Sequence, residues 1–361
     1  MNKKEFFSVL KCTGGFIAWV IGSGFATGQE ILQFFTSYGY KSFAVLSVNL
    51  AGFVILGAVL MVKGFENRDD TAFDHYSFYC GKYLGKVYSV VLPVTLILLM
   101  AVIISAAGAT AEQYFSVKSV IGSAAMGVLV LLAYLLGFKK MVNLVSSIGP
   151  FIIVFVVFVG IFTSARDISL FGKAAEYSGT LSQFSASPSW LLSALLYLGI
   201  NFLCGSTYYT ELGKTALTRR AALTGAVIGA AAVIITIGSV NLAILLNAGD
   251  TAQLEVPTLF LAQKISPVFG AVFSVILILG MFSSCCTMVW SFCSGFFRND
   301  KKKNRIFSAC SIVLCLVLGF FPFGGLMAVI YPLIGYSGLI FIFCVLLKPF
   351  FEKRKAKPAN G

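Results

Sequence analysis

A glycine-serine-glycine triplet interrupts the first apolar stretch, Gly14-Gly15-Phe16-Ile17-Ala18-Trp19-Val20-Ile21-Gly22-Ser23-Gly24-Phe25-Ala26-Thr27-Gly28-Gln29-Glu30, and a glutamate follows shortly after. Each glycine weakens a helix by roughly 1 kcal/mol relative to alanine, and a charge inside a bilayer costs at least about 2.5 kcal/mol on insertion scales. A span that only anchors avoids both. A span that opens at Gly22–Gly24 exposes the N–H groups and positive dipole end of a new half-helix at membrane depth, which suits a carboxylate or other anion. Close packing is the competing reading, since Gly14, Ala18, Gly22 and Ala26 form a small-xxx-small ridge. The polar residues Ser23, Thr27, Gln29 and Glu30 favour the break.

Three further groups carry chemistry. Asn201, Gly205, Ser206 and Thr207 interrupt the sixth apolar stretch in the same way; they either line a ligand site or bond neighbouring helices. Gly280-Met281-Phe282-Ser283-Ser284 sets adjacent hydroxyls on an apolar helix, where two oxygens could join backbone carbonyls around a hard monovalent cation. The alternative is that both hydroxyls bond back to carbonyls one turn earlier. Among the acids, Glu30 lies closest to the break and is the first candidate for gating or proton coupling. Glu211 is the second, with Lys214 as a plausible partner one turn on. Glu112 is placed to face interfacial water. Trp19, Tyr114, Tyr208 and Tyr209 could line or gate a site. The single histidine, His75, falls in a polar loop, so no nucleophile–base pair or metal-ligand set points to an enzyme or a cofactor.

These residues have to be positioned by membrane helices. The chain of 361 residues is 58% hydrophobic and 11% charged, against about 25% charged in soluble domains. Ten stretches reach the roughly 20 apolar residues a span needs, at about 7–36, 42–64, 84–115, 119–137, 141–164, 189–215, 221–247, 265–297, 305–321 and 325–349. With the N-terminus in the cytoplasm, every Lys and Arg falls inside except Lys41, Lys118, Arg166, Lys173 and Lys264. The net charge of +13 is therefore a topology signal rather than a nucleic-acid patch. The nine cysteines contain no Cys-x-x-Cys pair, which argues against a metal or disulfide framework. The expectation is a multi-pass protein of the cell membrane with both termini cytoplasmic. It forms one domain over 1–361 with a basic tail at 350–361, a small helix or turn in the inner loop 65–83, and a short helix after Val256-Pro257 that lies over the outer mouth or rests on lipid.

Ten spans divide as five plus five, and an odd number per half makes the repeat inverted, with repeat one at about 7–164 and repeat two at about 189–349. Gly24 to Glu30 and Gly205 to Glu211 are separated by the same six residues. The stretch Gly22-Ser23-Gly24-Phe25-Ala26-Thr27-Gly28-Gln29-Glu30-Ile31-Leu32-Gln33-Phe34-Phe35 resembles the opening of the YkvI-like bacterial membrane proteins, which look like a branch of the amino acid–polyamine–organocation superfamily with the LeuT fold. The resemblance covers essentially the whole chain. It implies an all-α integral membrane protein with helices 1 and 6 discontinuous and the solute between them. It implies substrate-carboxylate contacts at the N–H groups of Ser23, Gly24 and Phe25. It also implies a sodium site from the carbonyls of Ala18 and Ile21 and from Gly280, Ser283 and Ser284. Glu30 departs from the general superfamily pattern and leaves proton coupling open.

The functional expectation is a secondary transporter of a small zwitterionic or amine solute, driven by sodium or protons through alternating access. The solute bridges the first-span N–H groups and Asn201, Gly205 and Ser206. A non-transporting ligand sensor or scaffold using the same pocket is the alternative, and a channel is a third, without any visible ring of filter residues.

Overall fold

The computed structural model describes residues 3–70, 73–136, 149–295 and 301–355. Lys139, Lys140, Arg298 and the end of the basic tail lie outside the described residues, as does the start of the fifth expected span. The described residues form helices, turns and loops with no strand.

The first apolar stretch gives three pieces: α1 (Lys3–Val20), α2 (Ser23–Ala26) and α3 (Gln29–Phe34). A 3-10 turn (Thr36–Lys41) leads into α4 (Ser42–Glu66). Then come α5 (His75–Phe115), α6 (Ser119–Leu136), α7 (Gly149–Arg166), a 3-10 helix (Ile168–Tyr177), α8 (Ser178–Ser182) and α9 (Trp190–Lys214). The chain continues with α10 (Arg219–Leu246), α11 (Ala248–Thr251), α12 (Pro257–Ile265), α13 (Pro267–Gly295), α14 (Lys301–Leu318) and α15 (Phe323–Lys355). Among the described residues six helices are long and apolar enough to cross a membrane, and a seventh candidate is α7 with the helices after it, bent by 92°. Exposed Phe151, Val154, Phe158 and Phe162 give α7 an apolar outer face suited to lipid.

The helices sort into two groups. α4 lies between α9 and α10, and α1 packs on α10. α5 packs on α6, α13 and α14, while α15 joins the groups by touching both α9 and α5. Glycines make the closest contacts. A Cβ on Gly199 would collide with the Gly335 carbonyl, and one on Gly338 with the Gly199 carbonyl, so α9 and α15 meet backbone to backbone. The same holds for Gly64 against the Thr210 carbonyl and Gly213 against the Met61 carbonyl, between α4 and α9. Such small-residue seams are how helices approach without a hydrophobic drive between them.

The small inner helix expected in the loop 65–83 forms over His75–Cys80. Asp74 caps it by accepting from the N–H groups of Tyr76 and Ser77, and Gly81 at φ 77° turns the chain into the rest of α5. The sharp bend after α7 is held by charge: Arg166 Nε lies 2.7 Å from Asp167 Oδ1, while Lys264 and Asn247 face the other carboxylate oxygen. The Arg166 hydrogen bond holds the Asp167 carboxyl below the usual range.

One expectation is overturned. The sixth stretch does not break; α9 is a continuous α-helix through Asn201, Gly205 and Ser206. Its polar side chains turn back onto its own backbone. Asn201 Nδ2 donates to the Tyr197 carbonyl at 2.9 Å, Ser206 Oγ to the Leu203 carbonyl at 3.0 Å, and Thr210 Oγ1 to the Ser206 carbonyl at 2.8 Å. A polar residue satisfied within its own turn does not force the ladder open.

Candidate functional site

The break in the first helix is built by three local choices. Gly22 adopts an extended backbone at φ −99°, ψ −171°, and its N–H reaches only two residues back, to the Val20 carbonyl at 3.0 Å. Thr27 Oγ1 donates to the Gly24 carbonyl at 2.7 Å and closes the single turn of α2. Gly28 then stands at φ +80°, a conformation that glycine alone adopts freely, and a Cβ there would also strike Thr258. Ser23, Gly24 and Phe25 form the first turn of α2, so their N–H groups have no carbonyl within α2 to bond, and the Gly22 N–H turns to Val20 instead of the Ala18 carbonyl one helical turn back. Unpaired peptide groups at this depth are tolerated where they line a cavity or a ligand.

α13 supplies the opposite wall. Ser23 Oγ and Ser284 Oγ lie 2.9 Å apart, and a Cβ placed on Gly280 would lie 3.5 Å from the Ser23 Cβ and strike Ile152, which fills that side of the glycine. Ser284 thus bonds across to α2 rather than back along its own helix. Ser283 is half-buried, and its carbonyl accepts from Thr287 Oγ1 at 3.2 Å. The structure therefore brings Ser23, Gly280 and Ser284 together at the start of α2.

Glu30 enters the site from the other side. It is 9% exposed and accepts from Tyr331 Oη at 2.7 Å. The open face of Gly24 looks onto this pair: an added Cβ would lie 3.1 Å from Glu30 Oε1 and 3.4 Å from Tyr331 Oη. Tyr197 stands close by, fully buried, with its hydroxyl against the Asn201 side chain. Tyr331 and Tyr197 were not among the expected site residues. Their signal was only a tyrosine in an apolar helix, which is far commoner as packing.

Two expected ligands are committed elsewhere. Gly205 is a packing position: the Trp19 indole fills the space a side chain would take, and stacks on Tyr208 with centroids 5.1 Å apart. Ser206 is fully buried, bonded to Tyr76 Oη and 3.2 Å from His75 Nε2. His75 is accordingly not a loop residue in water; it begins α5, is 6% exposed, and packs its ring 4.0 Å from that of Tyr76. Glu211 forms a 2.8 Å ion pair with Lys214, and its side chain is 60% exposed, far from the break. Asn201 remains half-buried, with its side chain against the Tyr197 hydroxyl as well as its own helix. Glu112 is exposed.

The two ends of the break differ in access. Residues 25–37 are all buried, whereas Ala18 is exposed and Gly22, Gly24, Cys204 and Ser284 are half-buried. The buried end is capped by α12. Thr258 Oγ1 donates to the Ala26 carbonyl and Thr258 N–H to the Thr27 carbonyl at 3.2 Å. Gln113 makes a two-way bond with the Val256 backbone at 2.9 and 3.1 Å. Gln33 Nε2 donates to the Gly324 carbonyl at 2.9 Å, and Glu255 accepts from the Gly324 N–H at 3.4 Å. Burial pushes the Glu255 carboxyl above its usual range, and the neighbouring Glu112 charge adds to the shift.

Comparison with known proteins agrees with this architecture. No family model matches the chain. The chain is similar to an uncharacterized membrane protein YkvI of Bacillus subtilis (strain 168), 25% identical over 341 residues, covering 92% of this chain and 94% of that one. It is also similar to an uncharacterized protein YyaD of the same organism, 22% identical over 341 residues, covering 93% and 95%. Among solved structures it matches a manganese transporter of Eremococcus coleocola at TM-score 0.48 and 13% identity, over 97% of this chain and 79% of that one. A Na+-coupled sialic acid symporter matches at TM-score 0.51 and 11% identity, over 97% of this chain and 98% of that one. The chain is a helical, multi-pass membrane protein whose fold resembles that of the sialic acid symporter.

Proposed function

We propose that the protein is a secondary active transporter of a small amino-acid-like or amine solute, working by alternating access in the cell membrane. Ten spans in a five-plus-five inverted repeat, with both termini cytoplasmic, are the arrangement this reading uses. The observation that carries it is the opened first helix, with the N-terminal turn of α2 set beside Ser284 and Glu30. Peptide dipoles fixed in place before the solute arrives are a cheap way to hold a polar cargo inside lipid.

In this reading the N–H groups of Ser23, Gly24 and Phe25 take the electron-rich end of the solute, and Asn201 contacts the remainder. The carbonyls of Ala18 and Ile21, with Gly280, Ser283 and Ser284, are the proposed sodium site, which neutral oxygens suit. Gly205 and Ser206 act indirectly, by fixing α9 behind the pocket. Proton coupling, if it operates, runs through Glu30 rather than Glu211. The all-buried run 25–37 and the half-open residues below it describe a carrier closed on the α12 side.

The test is counterflow in proteoliposomes loaded with candidate amino acids and amines. Wild-type protein exchanges label for at least one solute, and Gly24→Leu, which fills the open face of α2, abolishes exchange while inserting normally. Exchange that persists in Gly24→Leu rejects the site. Stabilisation by a ligand without any counterflow makes the protein a sensor, and conductance far above carrier turnover makes it a channel.

A further inference from the structure

We propose that Glu30 holds the positively charged nitrogen of the cargo, and that a proton and this ammonium group compete for the one carboxylate. The proposal rests on the transport reading above and specifies its chemistry. Solute and proton would then move in exchange rather than together.

Four observations meet at this point. Glu30 is 9% exposed, and among the described residues no lysine, arginine or histidine nitrogen lies within ion-pair distance of it. A carboxylate that buried is held either as the neutral acid or by a cation. Gly24, which has no side chain, lets Glu30 Oε1 and Tyr331 Oη come within 3.1 and 3.4 Å of where its Cβ would stand, so the acid lies directly against the break. The Tyr197 hydroxyl is fully buried against the Asn201 side chain and lies within electrostatic reach of both Glu30 and Tyr331. Finally, the walls are aromatic: Phe34 has its ring centroid 5.6 Å from Tyr197 and 6.3 Å from Tyr331. A carboxylate, two phenol oxygens and ring faces are the donor set that recognises an alkylammonium group, whose charge is met by the acid and whose C–H surface is met by the rings.

The titratable groups facing Glu30 are Tyr331 from α15 and Tyr197 from α9, with Cys204 of α9 behind Tyr331. All are neutral at physiological pH, so Glu30 is the group that changes charge. The step balances simply. The neutral acid gives its proton to solvent through the half-open side, and the carboxylate that results pairs with the incoming ammonium. No net charge is added to the buried site, which is why exchange at one acid is cheaper than carrying both cations at once.

The experiment uses full-length protein in lipid nanodiscs, in weak buffer at fixed sodium, with matched probe sets. Each set holds a common amino acid, the amine left by removing its carboxyl group, and the acid left by removing its amino group; leucine, isopentylamine and 4-methylpentanoate are one set. At least one amine and its parent amino acid are expected to raise the melting midpoint and to release a proton to the medium. Their apparent affinity weakens by up to about tenfold per unit of pH decrease, the limit for one competing proton. The deaminated acid does neither. Glu30→Gln, which keeps size and polarity, abolishes both effects. Tyr331→Phe weakens amine binding but keeps proton release. Binding of the deaminated acid without the amine, or undiminished proton release in Glu30→Gln, overturns the proposal and leaves the transport reading standing. No response to any probe in any set overturns both.

Discussion

Two helices of this molecule carry the same kind of interruption, and only one opens. At Gly22–Gly24 the ladder breaks; at Gly205–Ser206 it runs on. The residues are alike, but their partners differ. Ser23 is drawn sideways to Ser284 on another helix, and Thr27 and Gly28 end the turn that follows. Ser206 has a carbonyl of its own helix to bond, and His75 and Tyr76 hold it from outside without bending it. A glycine and a hydroxyl make a helix breakable. What breaks it is a competing partner on one side and a left-handed glycine on the other.

The contrast can be broken most severely at Gly28. Gly28→Val puts a branched side chain at φ +80° and against Thr258. The left-handed conformation costs about 1–2 kcal/mol and the overlap about as much again, so folded yield and melting midpoint in detergent should fall sharply. A wild-type midpoint would remove Gly28 from the account of the break. Ser206→Ala comes next. It takes a partner from Tyr76 and His75, both buried, at about 1–2 kcal/mol, and the loss should appear as a lower midpoint. Asn201→Ala, which removes only a bond to its own helix, should stay within about 0.5 kcal/mol; a larger loss there would mean that α9 depends on its polar residues as α2 does.

A double-mutant cycle on Ser23→Ala and Ser284→Ala measures the sideways pull itself. A coupling of about 0.6 kcal/mol is typical for a hydrogen bond between membrane helices, and zero coupling would mean that the pair only coincides in space. The smallest effect is at the 92° bend after α7, a third backbone break, closed by an ion pair instead of a hydroxyl. The folded Asp167 carboxyl is depressed by Arg166, so its contribution is complete above the unfolded value near about 4 and is lost as pH falls through the lower, folded value. Asp167→Asn should lower the midpoint slightly at neutral pH, where that contribution is complete, and flatten the acid limb, so that the two midpoint-against-pH curves converge at low pH.

Reading the chain by itself located the first-helix break to within about two residues, because glycine, serine and an acid inside lipid are costly enough to need a reason, but it gave no sign of the second interruption at Thr27–Gly28. It placed the Val256-Pro257 helix and the Glu211–Lys214 pair for the same kind of local reason, a cap signal and a one-turn spacing. It misjudged α9, where the outcome depends on what stands beside Ser206, and that is set by His75 and Tyr76, 131 and 130 residues away in sequence. His75 was misread because its neighbours in the chain are polar while its neighbours in space are not. Tyr331 and Tyr197 carried no local mark at all; only the fold brings them to Glu30.

The glycine seam between α9 and α15 has a mechanical consequence. Any side chain at Gly199, Gly335 or Gly338 would force the two backbones apart. Tyr197 stands on one helix and Tyr331 on the other, so the seam sets the spacing of the two phenols, while the acid that they face comes from α3, beyond the breaks at Gly22 and Gly28.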